Sequence, residues 1–530
     1  MARPNLLKGR VLASVLLCWL VSACTVVGPD FSPPETPPLP SQWGPEDAQQ
    51  ANAAVGAWWQ LFDDPVLSQL IERGMQQNLS VEAAGLRIVQ ARAALGISDA
   101  LVFPQQQQIN ANLAGLYRNE DWFKAANASF DVGWEMDIWG RYARGIEVSE
   151  ATLYVSIASY HDVLVSISAE IARNYINYRT AEERSYLSQQ NIQIQQRVLE
   201  MTQVQFDAGN VSELDVQQAK TQLFATQASL PDLDTARLQS MNAIAVLLGT
   251  IPENLHAVLS PSDQRQQAGL EARLMETQRE DIDVQHYNRD SVIPNAPRLD
   301  SQVDSQLVLA RPDLKVAELS ARAQSARIGL TQADLYPQFF LFGSIGASQT
   351  VRSNRSFDLS DALTASIGPG MTWNVFEYDR IKNAVRIEDA LFQESLTNYN
   401  LAVIEAVREV TNALQTYQNN VRRAELDFQA VSASIRAFNI SANQYNNGLV
   451  SYQRLLSTVE QMTLREDIYA VTRGNIANQV VALYKALGGG WVAAAGNPIV
   501  KPEIVDQMRK RTDWGDYLEQ PKLEGKDRDE

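Results

Sequence analysis

Two stretches far apart in this 530-residue chain share one oddity. Residues 205–218, QFDAGNVSELDVQQ, and residues 444–457, QYNNGLVSYQRLLS, each interrupt a helix-patterned run with a glycine. Glycine costs roughly 1 kcal/mol against alanine inside a helix. Yet Gly209 and Gly448 hold equivalent places, 239 residues apart. Arg141 and Arg380, in WGRYARGIEVSEA and FEYDRIKNAVRIEDA, keep the same interval. Residues 78–104, NLSVEAAGLRIVQARAALGISDALVFP, answer residues 311–337, RPDLKVAELSARAQSARIGLTQADLYP, at an offset of 233. The chain therefore carries one unit of about 150 residues twice, and such a duplication limits every later choice of fold.

Within each copy the helical runs have matched lengths. Gln69 to Phe103, Arg141 to Ala208 and Glu213 to Leu248 read as helices of roughly 52, 102 and 54 Å at 1.5 Å per residue. The second copy gives about 40, 104 and 56 Å on the same rise. Two short helices stacked end to end thus span one long one. The spacing predicts antiparallel rods about 100 Å long, with a strand pair at one end and the glycine turn at the other. Ile157, Leu164, Ile171 and Tyr178 recur every seven residues, with Leu153, Tyr160, Ile167 and Asn174 as companions. That is coiled-coil spacing. Unbroken runs of this length exceed those of ordinary globular helices.

Four intervening segments, 106–118, 128–139, 338–349 and 362–375, alternate in polarity. Phe130, Val132, Trp134, Met136 and Ile138 share one face, opposite Ser129, Asp131, Gly133, Glu135 and Asp137. Leu363, Ala365, Ile367, Met371 and Trp373 do the same, as do Ile109, Ala111, Leu113 and Tyr117. Each is long enough to cross a bilayer as a tilted strand. Alternation alone also describes a soluble sheet with one wet face. In lipid, four strands could not close a barrel and open edges are not tolerated, so a membrane role requires oligomerisation. Two chains would supply eight strands and three would supply twelve.

The N-terminus moves the balance toward the membrane. Arg3, Lys8 and Arg10 precede a short apolar run and VSAC, the pattern of a secretory signal over residues 1–23. Cys24 directly after Ala23 resembles the lipobox of bacterial lipoproteins, which implies diacylation of Cys24 and anchoring through that covalent lipid. Thr25 rather than aspartate at the next position resembles the outer-membrane address. Cys18 leaves with the signal, so no intrachain disulfide is possible. Residues 24–57, rich in proline, read as an extended tether. The net charge of −17 and the lack of a basic stripe argue against nucleic acid. His161, His256 and His286 show no metal-ligand spacing, and there is no P-loop. No metal, cofactor or catalytic residue is expected, and an enzyme is the weakest reading.

These features together resemble the TolC-like outer-membrane efflux protein family, in its NodT-type lipoprotein branch. The marks are Cys24, WWQLFDDPVLSQLIERGMQQN (58–78), LARPDL (309–314), Tyr336-Pro337, WNVF (373–376) and the two glycine turns. The resemblance implies a mainly α chain with a transmembrane β-barrel. Three copies would build a twelve-stranded barrel in the outer membrane of a Gram-negative bacterium, continued by a periplasmic helical tunnel. It implies a first repeat over 58–250, a second over 307–490, and an equatorial region around the rods supplied by 251–306 and by the tail over 491–530, whose polar composition predicts partial mobility. It also implies a periplasmic adaptor and an inner-membrane resistance–nodulation–division pump as partners. The docking tips would be Ala208, Gly209, Asn210, Val211 and Ser212, with Asn447, Gly448, Leu449, Val450 and Ser451. Tyr445 would sit at the pore constriction. The acidic residue usual nine positions past the second tip glycine is Ser457 here, with Arg454 one turn before it, so Glu213 and Asp215 are the alternative source of charge. Two other functions fit parts of the pattern: a protein-secretion tunnel of the same fold, and a coiled-coil envelope spacer that would need no strands.

Overall fold

The computed structural model describes residues 26–39, 42–43, 56–259, 291–299, 303–304, 306–352, 354–358, 360, 362–494 and 496–519. The signal sequence, Cys24 and most of 251–306 lie outside the described residues. In chain order the main helices are α1 (Pro65–Gln77), α2 (Leu79–Ala100), α3 (Arg141–Asp207), α4 (Glu213–Leu247), α5 (Pro312–Gln332), α6 (Arg380–Asn446), α7 (Tyr452–Ala486) and α8 (Pro502–Arg511). The long strands are β1 (Gln106–Arg118), β2 (Asp121–Met136), β3 (Gln338–Arg352) and β4 (Leu363–Thr372), and the two-residue segments Gln42–Trp43 and Val303–Asp304 pair separately.

The two rods, α3 and α6, each have 67 residues, about 100 Å of helix. Both open on a left-handed N-cap, Gly140 (φ 74°) and Asp379 (φ 61°), which turns the chain sharply out of the preceding strand. Leu164 and Ile171 are buried, as are Tyr178, Tyr160 and Ile167, so the seven-residue spacing marks the packed seam. The single helix expected over Gln69–Phe103 is instead two. Asn78 is in extended conformation and its side chain caps α2 by accepting from the Ser80 and Val81 N–H groups. Asparagine caps helix starts better than it continues helices, and Asn78 Nδ2 also donates to the Leu247 carbonyl.

The long strands form one antiparallel sheet in the order β1-β2-β3-β4, leaving β1 and β4 as edges. The second segment starts earlier than the 128–139 expected, at Asp121, and ends at Met136. Its first half pairs with residues 112–118 around a tight Asn119-Glu120 turn, both residues at positive φ. The third strand extends to Arg352, and the fourth stops at Thr372 rather than at 375. Asp131 accepts from Asn110, Ser129 and Ser344, so the polar face is tied across three strands.

Two further features come from long-range contacts. The first residues of the tether are docked rather than free. Val27 N–H donates to the Trp139 carbonyl, and the buried Arg144 guanidinium donates to the Val27 and Gly28 carbonyls and pairs with Asp30 and Glu147. The tail is also docked as far as Glu519. Arg92 donates to the Tyr517 and Glu519 carbonyls, Lys501 pairs with Glu82 at 2.7 Å, and Met508 of α8 is buried. Of the expected equatorial region, residues 291–299 cross the rods. Val292 N–H donates to Glu183 of α3, and the Leu299 N–H donates to Tyr417 Oη of α6.

Candidate docking tip

Both rods end in the same way, and the reason is local. At the end of α3, Gly209 N–H donates to the Phe206 carbonyl at 2.8 Å and Asn210 N–H to Gln205 at 2.9 Å. At the end of α6, Gly448 N–H donates to Tyr445 at 3.0 Å and Leu449 N–H to Gln444 at 2.8 Å. This crossed pair of bonds is the Schellman motif, which needs a left-handed residue. Gly209 (φ 78°) and Gly448 (φ 69°) supply it. No atom lies within 4 Å of the position a Cβ would take at either glycine, so backbone conformation, not crowding, requires them.

The return helices start on Ser212 and Ser451. In the first turn, Asp215 accepts from the Ser212 N–H (2.9 Å) and hydroxyl (2.8 Å), closing a capping box. Asp215 is therefore committed to holding its own helix start. The position 239 residues on is Arg454, which cannot do this, so the two turns differ in charge. Arg454, Ser457 and Glu213 are exposed. Ala208 and Asn447 are the C-caps. Val211 and Val450 pack inward against one apolar cluster, which brings the two turns to the same end of the molecule. Leu449 is left 73% exposed.

Tyr445 is buried within the protomer. Its ring is 3% exposed, meets Tyr452 edge-on at 6.0 Å, and its hydroxyl lies 3.3 Å from Thr202 Oγ1 on the other rod. Burial raises the pKa of both phenols. Tyr445 ties α6 to α3 inside the tip. Its three-residue separation from Gly448 puts it one helical turn inside, facing the partner rod rather than solvent.

A second set of residues escaped the sequence reading. Arg179, on α3, is fully buried, and its Nη1 donates to Glu182 at 2.6 Å and its Nε to Tyr175 Oη at 3.1 Å. Tyr175 Oη donates in turn to Asp64, the residue that caps α1. The i, i+4 and i, i+3 spacing of Tyr175, Arg179 and Glu182 was the available signal. His161 stacks on Trp491 at 4.2 Å, and burial lowers its pKa, the behaviour of a packed ring. Among the described residues no cluster of three or more His, Cys, Asp or Glu could hold a metal ion.

Known proteins share this architecture. The family pattern described as "Outer membrane efflux protein" matches residues 70–250 and again 304–489, once for each copy. Nodulation protein T of Rhizobium leguminosarum bv. viciae is 27% identical over 486 residues, covering 91% of this chain and 94% of that protein. The pyoverdine export outer membrane protein OpmQ of Pseudomonas putida is 27% identical over 479 residues, covering 86% and 94%. The solved structure of the outer-membrane channel OprN superposes with a TM-score of 0.76 at 28% identity, covering 88% of this chain and 99% of that one. Since both halves of the duplication match one pattern and the relatives align over nearly their whole length, this chain is an outer-membrane protein belonging to the outer membrane efflux protein family.

Proposed function

We propose that three copies of this chain form the outer-membrane channel of a tripartite efflux system, passing small molecules from an inner-membrane pump and a periplasmic adaptor to the exterior. The observation that supports this best is the position of the two glycine turns. Rods of about 100 Å separate them from the sheet, so one end suits lipid and the other reaches into the periplasm. Four strands leave two open edges that a bilayer does not tolerate, and three chains supply the twelve strands of a closed barrel. Cys24 carries the covalent lipid and holds the N-terminus at the membrane, close to the docked Val27.

The adaptor docks on Gly209, Gly448 and their flanking residues, and the rods shift from a closed to an open arrangement. Arg454, Ser457 and Glu213, on exposed faces of the return helices, line the constriction. Tyr445 and Asp215 brace it from within. The channel performs no chemistry on its cargo; the pump supplies the energy.

Gly448→Arg is the direct test. The side chain has open space, and the positive φ costs about 1–2 kcal/mol, confined to the turn. Trimers should assemble normally while dye accumulation in cells rises to that of a deletion strain. Undiminished efflux would remove the turn from the docking site. A simpler expectation concerns the anchor: Cys24→Ser should abolish incorporation of labelled palmitate.

A further inference from the structure

On its apolar face the sheet is a stack of cross-strand rows, and the rows are uneven in size. The registers set Ile109, Phe130 and Ile345 side by side, with Ala111, Ala128 and Ala347 in the next row towards the hairpin turns. Beyond them come Leu113, Ala126 and Gln349, then Gly115, Lys124 and Val351, and last Tyr117 beside Trp122. The alanines leave a hollow of about 560 Å³. Its outer wall is Phe357, carried there by the loop that follows Arg352. Asp358 N–H donates to Gln349 Oε1 at 2.7 Å and pins that loop to the strand. The Asp358 carboxylate accepts from the Ser360 N–H and hydroxyl, so its charge is committed to its own turn.

Any outward face of a barrel meets lipid, but one residue on this face narrows the kind. Lys124 interrupts the apolar set between Ala126 and Trp122; it is exposed and has no ion pair among the described residues. Tyr117 and Trp122, with centroids 5.4 Å apart, mark the headgroup level, where such rings gather. Trp134 marks the opposite belt, and Ala128 lies halfway between it and Trp122 on β2. The hollow therefore fills the outer half of the wall. Lys124 is rooted one row, about 7 Å, inside the outer belt. A cation on the lipid side is costly unless it reaches the interface or meets an anion. Its long stem carries the ammonium outward to headgroup level, directly above the hollow.

We infer that this face binds a multiply acylated, phosphorylated glycolipid of the outer leaflet, its phosphate paired with Lys124 and its acyl chains lying in the hollow beside Phe357. The inference rests on the membrane orientation proposed above, which puts the hairpin turns outside. A lipid phosphate supplies the anion that Lys124 lacks on its own chain. Three strands floor the hollow, about 10 Å across, which admits acyl chains side by side rather than one alone. Depth in the outer half and breadth for several chains together favour a glycolipid over a two-chain phospholipid.

Native mass spectrometry of the full-length, detergent-solubilised protein, titrated with diphosphorylated lipid A, tests this. The unsubstituted protein should retain one lipid A per protomer, and dephosphorylated lipid A should bind about 10-fold more weakly. Lys124→Gln should bind diphosphorylated lipid A as weakly as the dephosphorylated form, while Lys124→Arg keeps the full affinity. Ala128→Phe, which fills the hollow, should lose both lipids alike. If the unsubstituted protein binds lipid A equally with and without phosphate, the pairing is overturned, and that arm needs no variant. Equal retention by Lys124→Gln and the unsubstituted protein overturns the assignment to Lys124. Phosphatidylglycerol displacing lipid A at equal concentration overturns the choice of a glycolipid. Each of these results leaves the channel proposal standing. A monomeric native mass in the unsubstituted protein overturns the oligomeric barrel, and this site with it.

Discussion

Arginine placed at both Leu113 and Ile367 should leave the chain in the periplasm as unassembled protomer. Each side chain is mid-strand and at least 80% exposed in the protomer, on the apolar face of its strand. In water such exposure would be a liability, because contiguous apolar surface of this size promotes association. In a bilayer it is the stable arrangement. A basic residue near the membrane midplane costs about 2–4 kcal/mol in a barrel strand, so the pair costs roughly twice that, and every protomer carries both. Val132, Trp134 and Ile367, charged together, should act alike. Asn112→Arg, on the opposite face, is the control and should assemble, because that face carries the polar network around Asp131. The measurement is heat-stable trimer in outer-membrane fractions. Normal assembly of the Leu113→Arg, Ile367→Arg variant would mean that these strands do not face lipid.

What could be read from the sequence follows from how each feature is encoded. The rods were legible because strong local signals bound them: α3 runs to Asp207 and α4 starts at Glu213, as the Gly209 turn requires. The alternation of Phe130, Val132 and Trp134 was equally local. The break at Asn78 was harder to see, since the helical pattern continues on both sides and only the cap marks it. The upper half of β2 was hidden because Lys124, Ala125 and Ala126 alternate poorly, and only pairing with β1 makes them a strand. Contacts between distant segments left no trace at all. Nothing near Arg144 in sequence announces that it grips residues 27–30, and nothing near Arg92 announces the tail. Tyr445 is the instructive case at the tip, where position along the helix was legible but direction was set by Thr202 and Tyr452.

Arg179 is the polar residue whose loss should cost the fold most. A charged side chain in a helix ordinarily points to water, yet this one is fully buried, and Glu182 beside it is only 3% exposed. The rings of Tyr175 and Tyr178 flank the guanidinium at 5.2 and 5.5 Å. Through Tyr175 and Asp64 the group connects the rod to the start of α1 and so to the buried Trp58, Trp59 and Phe62. Arg179→Met preserves most of the volume but strands the Glu182 carboxylate in the interior, a change worth about 3–5 kcal/mol. The trimer should then dissociate at a clearly lower temperature, with tip function intact in the fraction that assembles. Adding Glu182→Leu should restore much of the loss, because an apolar pair in place of a buried ion pair is often neutral. If the double variant is no more stable than Arg179→Met alone, the penalty does not come from an uncompensated charge, and the bond from Arg179 to Tyr175 and the helix cap beyond it carries the stability instead.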